Sequence, residues 1–170
     1  MTPLILAAAV GVFVGTFYAL GLRINATESL PLGIYRTTAG PVARGTLVAA
    51  CLPENLARAG LERGWLRPGD CPGDVAPVLK EVVALPGDFV MVSDEGLIVN
   101  GGRIPRTARV AADSAGRPVE AIPTGFYRVG FGEVWLIANA NPRSWDSRYY
   151  GPIPIENIRT PMRLLITWSR

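Results

Sequence analysis

An uncharged apolar run at the start of the chain constrains its fold most. Residues 3–22 read PLILAAAVGVFVGTFYALGL and contain no Asp, Glu, Lys or Arg. Twenty residues at helical rise cover about 30 Å, the thickness of the hydrocarbon core of a bilayer. A removed signal peptide would show a basic start, a shorter apolar run and a small-residue cleavage site. The run therefore predicts an uncleaved transmembrane signal anchor over residues 1–23. The alternatives, a removed signal peptide and a buried core helix, fit the run less well.

The rest of the chain, residues 24–170, is divided into short apolar segments by turn residues. It holds most of the 15 prolines and 19 glycines. Hairpin turns are predicted at 93–96 and 100–102, and only 54–63 has a helical pattern. The segments that read as strands are 46–50, 78–83, 89–92, 96–100, 132–137 and 162–168. We predict a single mostly β domain, either a small barrel or paired sheets.

Composition argues against nucleic-acid and metal chemistry. The net charge is +3, but the arginines are spread along the chain without a basic cluster, so we expect no nucleic-acid partner. There is no histidine, and Cys51 and Cys71 are the two cysteines, so zinc spacings are absent and no cofactor is expected. In an exported domain these cysteines fit one disulfide, which would stabilise the fold by about 3 kcal/mol; two free thiols are the alternative.

The candidate catalytic pair is Ser29 and Lys80. Without histidine, a serine nucleophile has no Ser-His-Asp arrangement available. Of the 17 basic residues 16 are arginine, which stays protonated, so Lys80 is the one nitrogen base among the side chains that could activate Ser29. Strand alternation places Lys80 beside Val78 and Val82, with Glu81 on the other face. Apolar neighbours favour a neutral lysine. The alternative for Ser29 is an ordinary turn residue.

A third segment, residues 141–152, is rich in hydrogen-bonding groups held between aromatics. Taken alone it is also typical of a surface loop with Asx turns. Together with the segments at Ser29-Leu-Pro and at 80–88, however, it resembles the three catalytic boxes of the Ser-Lys signal peptidases, peptidase family S26. The run from Asn25 to Tyr35 is similar to the TraF branch of conjugative-transfer peptidases within that family.

This resemblance covers nearly the whole chain, and it implies a role for each matching residue. It implies a signal-peptidase-like β domain with one N-terminal transmembrane helix, in the bacterial inner membrane with the catalytic domain in the periplasm. That placement overrides Arg23, which follows the run and alone would keep the domain cytoplasmic. The implied roles are nucleophile for Ser29, general base for Lys80, a third catalytic position for Asp146, oxyanion support for Thr27, orientation of the lysine amine for Ser144, and a charge partner of Asp146 for Arg148.

The implied function is a membrane-anchored serine endopeptidase that processes a membrane-embedded precursor. Its substrate would be a conjugative pilin precursor, with cyclisation through the acyl-enzyme as an open outcome. Two departures from general signal peptidases argue against ordinary secreted preproteins: Pro31 follows Leu30 directly, and Ala84 stands where glycine is common. The alternatives are a general type I signal peptidase-like enzyme, a cytosolic self-cleaving repressor with the same dyad, and a non-catalytic membrane-anchored module that binds an envelope partner.

Overall fold

In the computed structural model, which describes residues 3–168, the short apolar segments form two antiparallel sheets. The helices are α1 (Pro3–Ala19), α2 (Glu54–Glu62) and α3 (Ser147–Tyr150). The strands are β1 (Leu22–Asn25), β2 (Gly33–Thr37), β3 (Leu47–Ala50), β4 (Pro68–Cys71), β5 (Val78–Ala84), β6 (Phe89–Ser93), β7 (Gly96–Val99), β8 (Gly102–Ile104), β9 (Gly125–Arg128), β10 (Glu133–Ile137), β11 (Ile153–Pro154) and β12 (Ile158–Thr167). The mostly β prediction is confirmed.

The apolar run at the start forms α1, a helix of 17 residues none of which is buried. Residues 20–21 form a turn, and Leu22 already belongs to β1. Of the helices in residues 3–168, none is both long and apolar enough to cross a membrane. The first two residues of the predicted anchor and the last two of the predicted β domain lie outside the described residues.

The larger sheet carries the functional strands. Its order is β1-β2-β12-β3-β5-β10-β11, and β5 lies between β3 and β10. β3 pairs with β5 as far as Val78, whereas the pairing of β10 ends where Ile137 meets Glu81. Residues 78–80 are therefore paired with a strand on one side only.

The smaller sheet, of order β8-β7-β6-β9, follows from two tight hairpins. Ser93 pairs with Gly96 across the first, as predicted. The second contains Asn100 at φ 49° and Gly101 at φ 84°, and positive φ at both central residues is what the favoured two-residue hairpin turn requires. Both predicted turns are confirmed.

Two apolar cores lie on opposite faces of β5 and β10. Because side chains alternate along a strand, Val82 and Leu136 enter one core while Val83 and Ile137 enter the other. α2 covers the first core through Ala57, and the smaller sheet covers the second. The pair β5–β10 is thus held from both sides, which fixes the strand that carries Lys80.

Candidate active site

Ser29 lies in the turn between β1 and β2, and one buried side chain holds that turn together. The Asn25 amide nitrogen donates hydrogen bonds to the carbonyl oxygens of Thr27 (3.0 Å), Leu30 (3.1 Å) and Pro31 (3.0 Å). Its amide oxygen accepts from the backbone N–H of Thr27 (3.1 Å) and from the Thr27 hydroxyl (2.7 Å). Five hydrogen bonds to one side chain give the loop that carries Ser29 a defined shape. Asn25 begins the run 25–35, but the sequence pattern alone indicates no role for its side chain.

Of the two oxyanion donors expected from the sequence, the Thr27 hydroxyl already has a hydrogen-bond acceptor and the N–H of Ser29 does not. The Thr27 side chain is exposed, and its hydroxyl proton is donated to Asn25. The carbonyl of Ser29 accepts from the N–H of Ala140 at 3.3 Å, which ties the nucleophile loop to the segment after β10. Within residues 3–168 the N–H of Ser29 itself has no acceptor, so it is free to bind a developing oxyanion.

Lys80, Ser144 and Ser29 form a hydrogen-bonded row. Lys80 is 3% exposed, and its Nζ lies 2.6 Å from the Oγ of Ser144. That Oγ lies 3.4 Å from the Oγ of Ser29. Among the hydrogen bonds of the described residues, none joins Lys80 directly to Ser29. The connection between the two therefore runs through Ser144.

The surroundings of Lys80 make its amine unusually easy to deprotonate. Burial lowers the pKa of Lys80 from 10.5 to about 8; the Asp146 carboxylate acts in the opposite sense, and the Arg148 guanidinium lowers the pKa further. At pH 7 about a tenth of the molecules would then carry a neutral amine, against fewer than about one in a thousand for an ordinary lysine. Burial thus gives Lys80 a pKa at which its amine can accept a proton near neutral pH.

Asp146 and Arg148 form a fully buried ion pair beside this row. One Asp146 oxygen accepts from Arg148 Nε at 2.8 Å, and the other accepts from the backbone N–H of Ala138 at 3.1 Å. The Asp146 side chain is completely enclosed, and its hydrogen bonds hold it to Arg148 and to the backbone of Ala138. Its assignment as a catalytic residue stays a prediction. The Arg148 guanidinium also donates to the carbonyl oxygens of Arg106, Ala108, Ala138 and Pro142.

The loop that carries Ser144 is fixed to β10 by a residue that the sequence analysis missed. Ser147 is buried, and its Oγ accepts the backbone N–H of Leu136 at 2.9 Å. Asp146 accepts from the backbone N–H of Arg148 and so caps α3. Because Ser144 and Ser147 look alike in the sequence, only their partners in the fold distinguish the two roles.

Aromatic side chains border the row, and one of them comes from a distant segment. The rings of Trp65 and Trp145 lie 4.7 Å apart, and Trp145 stacks on Tyr149 at 5.7 Å. A cavity of about 950 Å³ contains Lys80, and a second of about 150 Å³ lies beside it; both are lined by Ser29, Trp65 and Trp145. The aromatics at 145–150 were visible in the sequence, but Trp65 stands outside any motif.

The predicted cysteine pair closes the segment from which Trp65 comes. Cys51 and Cys71 form a disulfide, with their Cα atoms 5.5 Å apart. It joins the end of β3 to β4 around α2. In the part of the chain that the structure describes, no group of three or more His, Cys, Asp or Glu side chains is placed to hold a metal ion.

The β scaffold thus brings together a loop serine, a second serine and a buried lysine. The chain belongs to the signal peptidase family, peptidase S26, whose family model matches residues 1–168. It is therefore a signal-peptidase-like serine peptidase.

Several proteins similar to this chain are named as plasmid or conjugal transfer proteins. Two plasmid transfer proteins TraF of Escherichia coli are 37% and 40% identical to this chain, over 91% and 89% of it and 88% and 85% of their own lengths. The conjugal transfer protein TraF of Agrobacterium fabrum is 40% identical over 88% of this chain and 84% of its own. A crystal structure of signal peptidase I from Enterococcus faecalis matches 76% of this chain and 100% of that chain, with 19% identity and a TM-score of 0.42.

Proposed function

We propose that this chain is a membrane-anchored endopeptidase in which Ser29 is the nucleophile and Lys80 is the general base, acting through Ser144. The observation that carries the proposal is the row of Lys80, Ser144 and Ser29 with a lysine pKa of about 8. A general base works best when its pKa lies near the working pH. The absence of histidine leaves no competing base of that kind.

The first chemical step is acylation. Neutral Lys80 accepts a proton from Ser144 as Ser144 accepts the proton of Ser29, so the Ser29 oxygen can attack the peptide carbonyl carbon. The resulting oxyanion accepts a hydrogen bond from the N–H of Ser29. It also accepts one from the Thr27 hydroxyl, once that hydroxyl has turned away from Asn25. Each such donor contributes about 3 kcal/mol of transition-state stabilisation.

The second step releases the leaving segment and then the product. The Lys80 ammonium returns its proton to the leaving amine, the C–N bond breaks, and an ester on Ser29 remains. Water or an amine then attacks this ester and gives up a proton to Lys80. The C–O bond to Ser29 breaks, and the proton returns from Lys80 through Ser144 to the Ser29 oxygen, which restores the enzyme. Nothing in the row distinguishes water from an amine as attacking group, so the second step is open to hydrolysis and to cyclisation.

The substrate that fits best is a membrane-embedded conjugative pilin precursor. The similar proteins carry the names plasmid transfer and conjugal transfer protein TraF, which supports a conjugation role. We place residues 1–23 in the inner membrane as an anchor, with the β domain in the periplasm. Six residues separate Arg23 from Ser29, so the nucleophile lies at most about 20 Å from the anchor. A precursor would therefore be cut beside the membrane.

The acyl part of the substrate can bind as an added strand. Residues 78–80 are paired with β3 on one side, and on the other side the pairing with β10 has ended. This edge lines the larger cavity together with Lys80 and Ser29. An extended peptide laid along it would gain main-chain hydrogen bonds and reach the nucleophile.

The proposal is tested by substitution and by the mass of the product. Ser29→Ala and Lys80→Arg should each abolish processing of a candidate pilin precursor and labelling of Ser29 by a fluorophosphonate probe, while thermal unfolding stays cooperative. Arginine keeps the charge but has no accessible neutral form. A Lys80→Arg enzyme with substantial activity would contradict the dyad. A product mass one water below that of the linear cleaved chain shows cyclisation, and the linear mass shows hydrolysis.

A further inference from the structure

The smaller cavity beside Ser29 is not needed by the row of Lys80, Ser144 and Ser29. It has a volume of about 150 Å³. An apolar cavity of about this size can hold a molecule as large as benzene. Its walls come from three separate parts of the chain: the segment after α2, the loop 110–119 and the segment 143–149.

Reciprocal hydrogen bonds hold the first two of these walls together. Arg63 donates to the carbonyl of Pro118 at 2.6 Å, and Arg117 donates to the carbonyl of Arg63 at 2.7 Å. Trp65 Nε1 donates to the carboxylate of Asp113 at 3.2 Å. The cavity therefore has a built wall, in which two segments about 50 residues apart in the chain brace each other.

The cavity lining is both polar and apolar, and two of its polar side chains, Asp113 and Tyr149, are already paired with neighbouring residues. The Asp113 carboxylate also accepts from Arg117 Nε at 2.8 Å and from the N–H of Ala115 at 2.9 Å. The Tyr149 hydroxyl accepts the N–H of Val110 at 3.0 Å. Ser114 and Arg143 are exposed. The apolar part of the lining, against which an apolar side chain can pack, is formed by Val110, Val119, Trp65 and Trp145.

The position of the cavity relative to Ser29 indicates which part of a substrate it would take. The larger cavity contains the open edge of β5 at 78–80, which suits the acyl segment. The smaller cavity meets it at Ser29, Trp65 and Trp145 and holds none of that edge. A peptide that crosses the nucleophile from the β5 edge therefore enters the smaller cavity with its leaving segment.

We propose that the smaller cavity is the subsite for the substrate residue that follows the scissile bond, and that it selects an apolar side chain no larger than a phenyl ring. This rests on the proposed peptidase function, since it assigns a subsite of the same active site. The same cavity would receive the first residue of an amine that attacks the ester, because that amine replaces the leaving amine at Ser29.

The test is a cleavage-preference experiment with the full chain in detergent micelles. A random-sequence peptide library is digested, and the new N-termini are sequenced, since the first residue of each is the one that followed the scissile bond. Val119→Trp fills the cavity. It should lower the ratio of Val and Leu to Gly and Ala at that position at least tenfold. Val119→Ala enlarges it and should admit Trp. Val12→Trp is the matched control, because Val12 is exposed and lines neither cavity.

The outcomes separate the subsite from the peptidase function. New N-termini whose first residue changes with the Val119 variants but not with Val12→Trp support the proposal. If the parent chain cleaves and neither Val119 variant changes the first residue, the subsite assignment is overturned and the peptidase stands. If the parent chain produces no new N-termini beyond a Ser29→Ala control, the proposed function itself fails and the subsite falls with it.

Discussion

At the scale of single residues, Lys80 links stability to chemistry. A lysine that is 3% exposed destabilises the folded protein whenever it is charged. The same cost of burying the charge favours the neutral amine. Its folded pKa of about 8 lies below the ordinary 10.5, so between these values the unfolded chain binds more protons than the folded one. Stability must therefore rise with pH between 8 and 10.5 and stay level below 8.

The first prediction compares the parent protein with Lys80→Met, which cannot be charged. The stability gap between the two should shrink by about 2 kcal/mol from pH 7 to pH 9.5, because the parent loses most of its penalty over that range. Urea unfolding at the two pH values measures the gap. Peptidase activity of the parent should be half-maximal near pH 8 and level above it. A gap that does not change with pH would show that Lys80 titrates normally.

The second prediction separates two buried serines that lie three residues apart. Ser144→Ala removes the bridge between Lys80 and Ser29, so kcat should fall at least tenfold with little change in KM. Ser147→Ala leaves the N–H of Leu136 unpaired, which should cost about 1–3 kcal/mol of stability while the folded enzyme keeps its kcat. Steady-state kinetics and urea unfolding on both variants check this. Equal losses of kcat in both would contradict a specific role for Ser144.

At the scale of elements, local signals predicted well those strands whose pattern is complete within a few residues. β6 and β10 are mostly apolar, and β5 is an apolar segment interrupted by Lys80 and Glu81. The ends of all three came within one residue of the prediction. β1 was missed because the apolar run passes into it without a polar break, and β4 because its sequence Pro-Gly-Asp-Cys favours a turn. The order of strands depends on contacts between distant residues, which no local pattern records.

The residues of the site likewise divide into those that the sequence marks and those that it does not. The proximity of Ser29, Lys80 and Ser144 could be predicted, because strand alternation marks Lys80 and the family resemblance marks the two serines. The roles of Asn25 and Trp65 could not, since Asn25 acts on backbone groups whose positions only the folded loop defines, and Trp65 meets Trp145 across 80 residues of chain. The catalytic role predicted for Asp146 stays a prediction; its full burial and its ion pair with Arg148 could not be read from the local pattern.

The third prediction concerns the loop between β1 and β2. Asn25→Asp keeps the shape of the side chain but turns a donor to three carbonyl oxygens into a carboxylate, so the loop should loosen and kcat/KM fall at least tenfold. Asn157→Asp is the matched control, because Asn157 donates to the single carbonyl of Cys51, away from the row. Its expected effect is a stability loss of about 1 kcal/mol with kcat/KM unchanged. Similar kcat/KM losses in both would argue against Asn25 as the organiser of the loop.

At the scale of the whole molecule, the parts differ in how strongly they are tied together. β5 and β10 lie between two apolar cores, so the strand of Lys80 is among the most firmly held elements. α1 has no buried residue, and its described links to the β domain include Arg23, which donates to the Tyr18 carbonyl and lies over the Tyr18 ring at 4.8 Å. Exposed contacts of this kind contribute little to folding. The catalytic domain should therefore fold without α1.

The fourth prediction follows from that difference. Deleting residues 2–19 should leave the melting temperature and the cleavage of soluble peptides nearly unchanged, because no buried side chain is lost. Processing of a pilin precursor in lipid vesicles should fall more than tenfold, since a shared membrane raises the effective concentration of enzyme and substrate. Replacing the deleted segment with an unrelated 20-residue Leu/Ala helix should restore processing. If the truncated enzyme processes the embedded precursor as fast as the parent, residues 1–23 do not act as its membrane anchor.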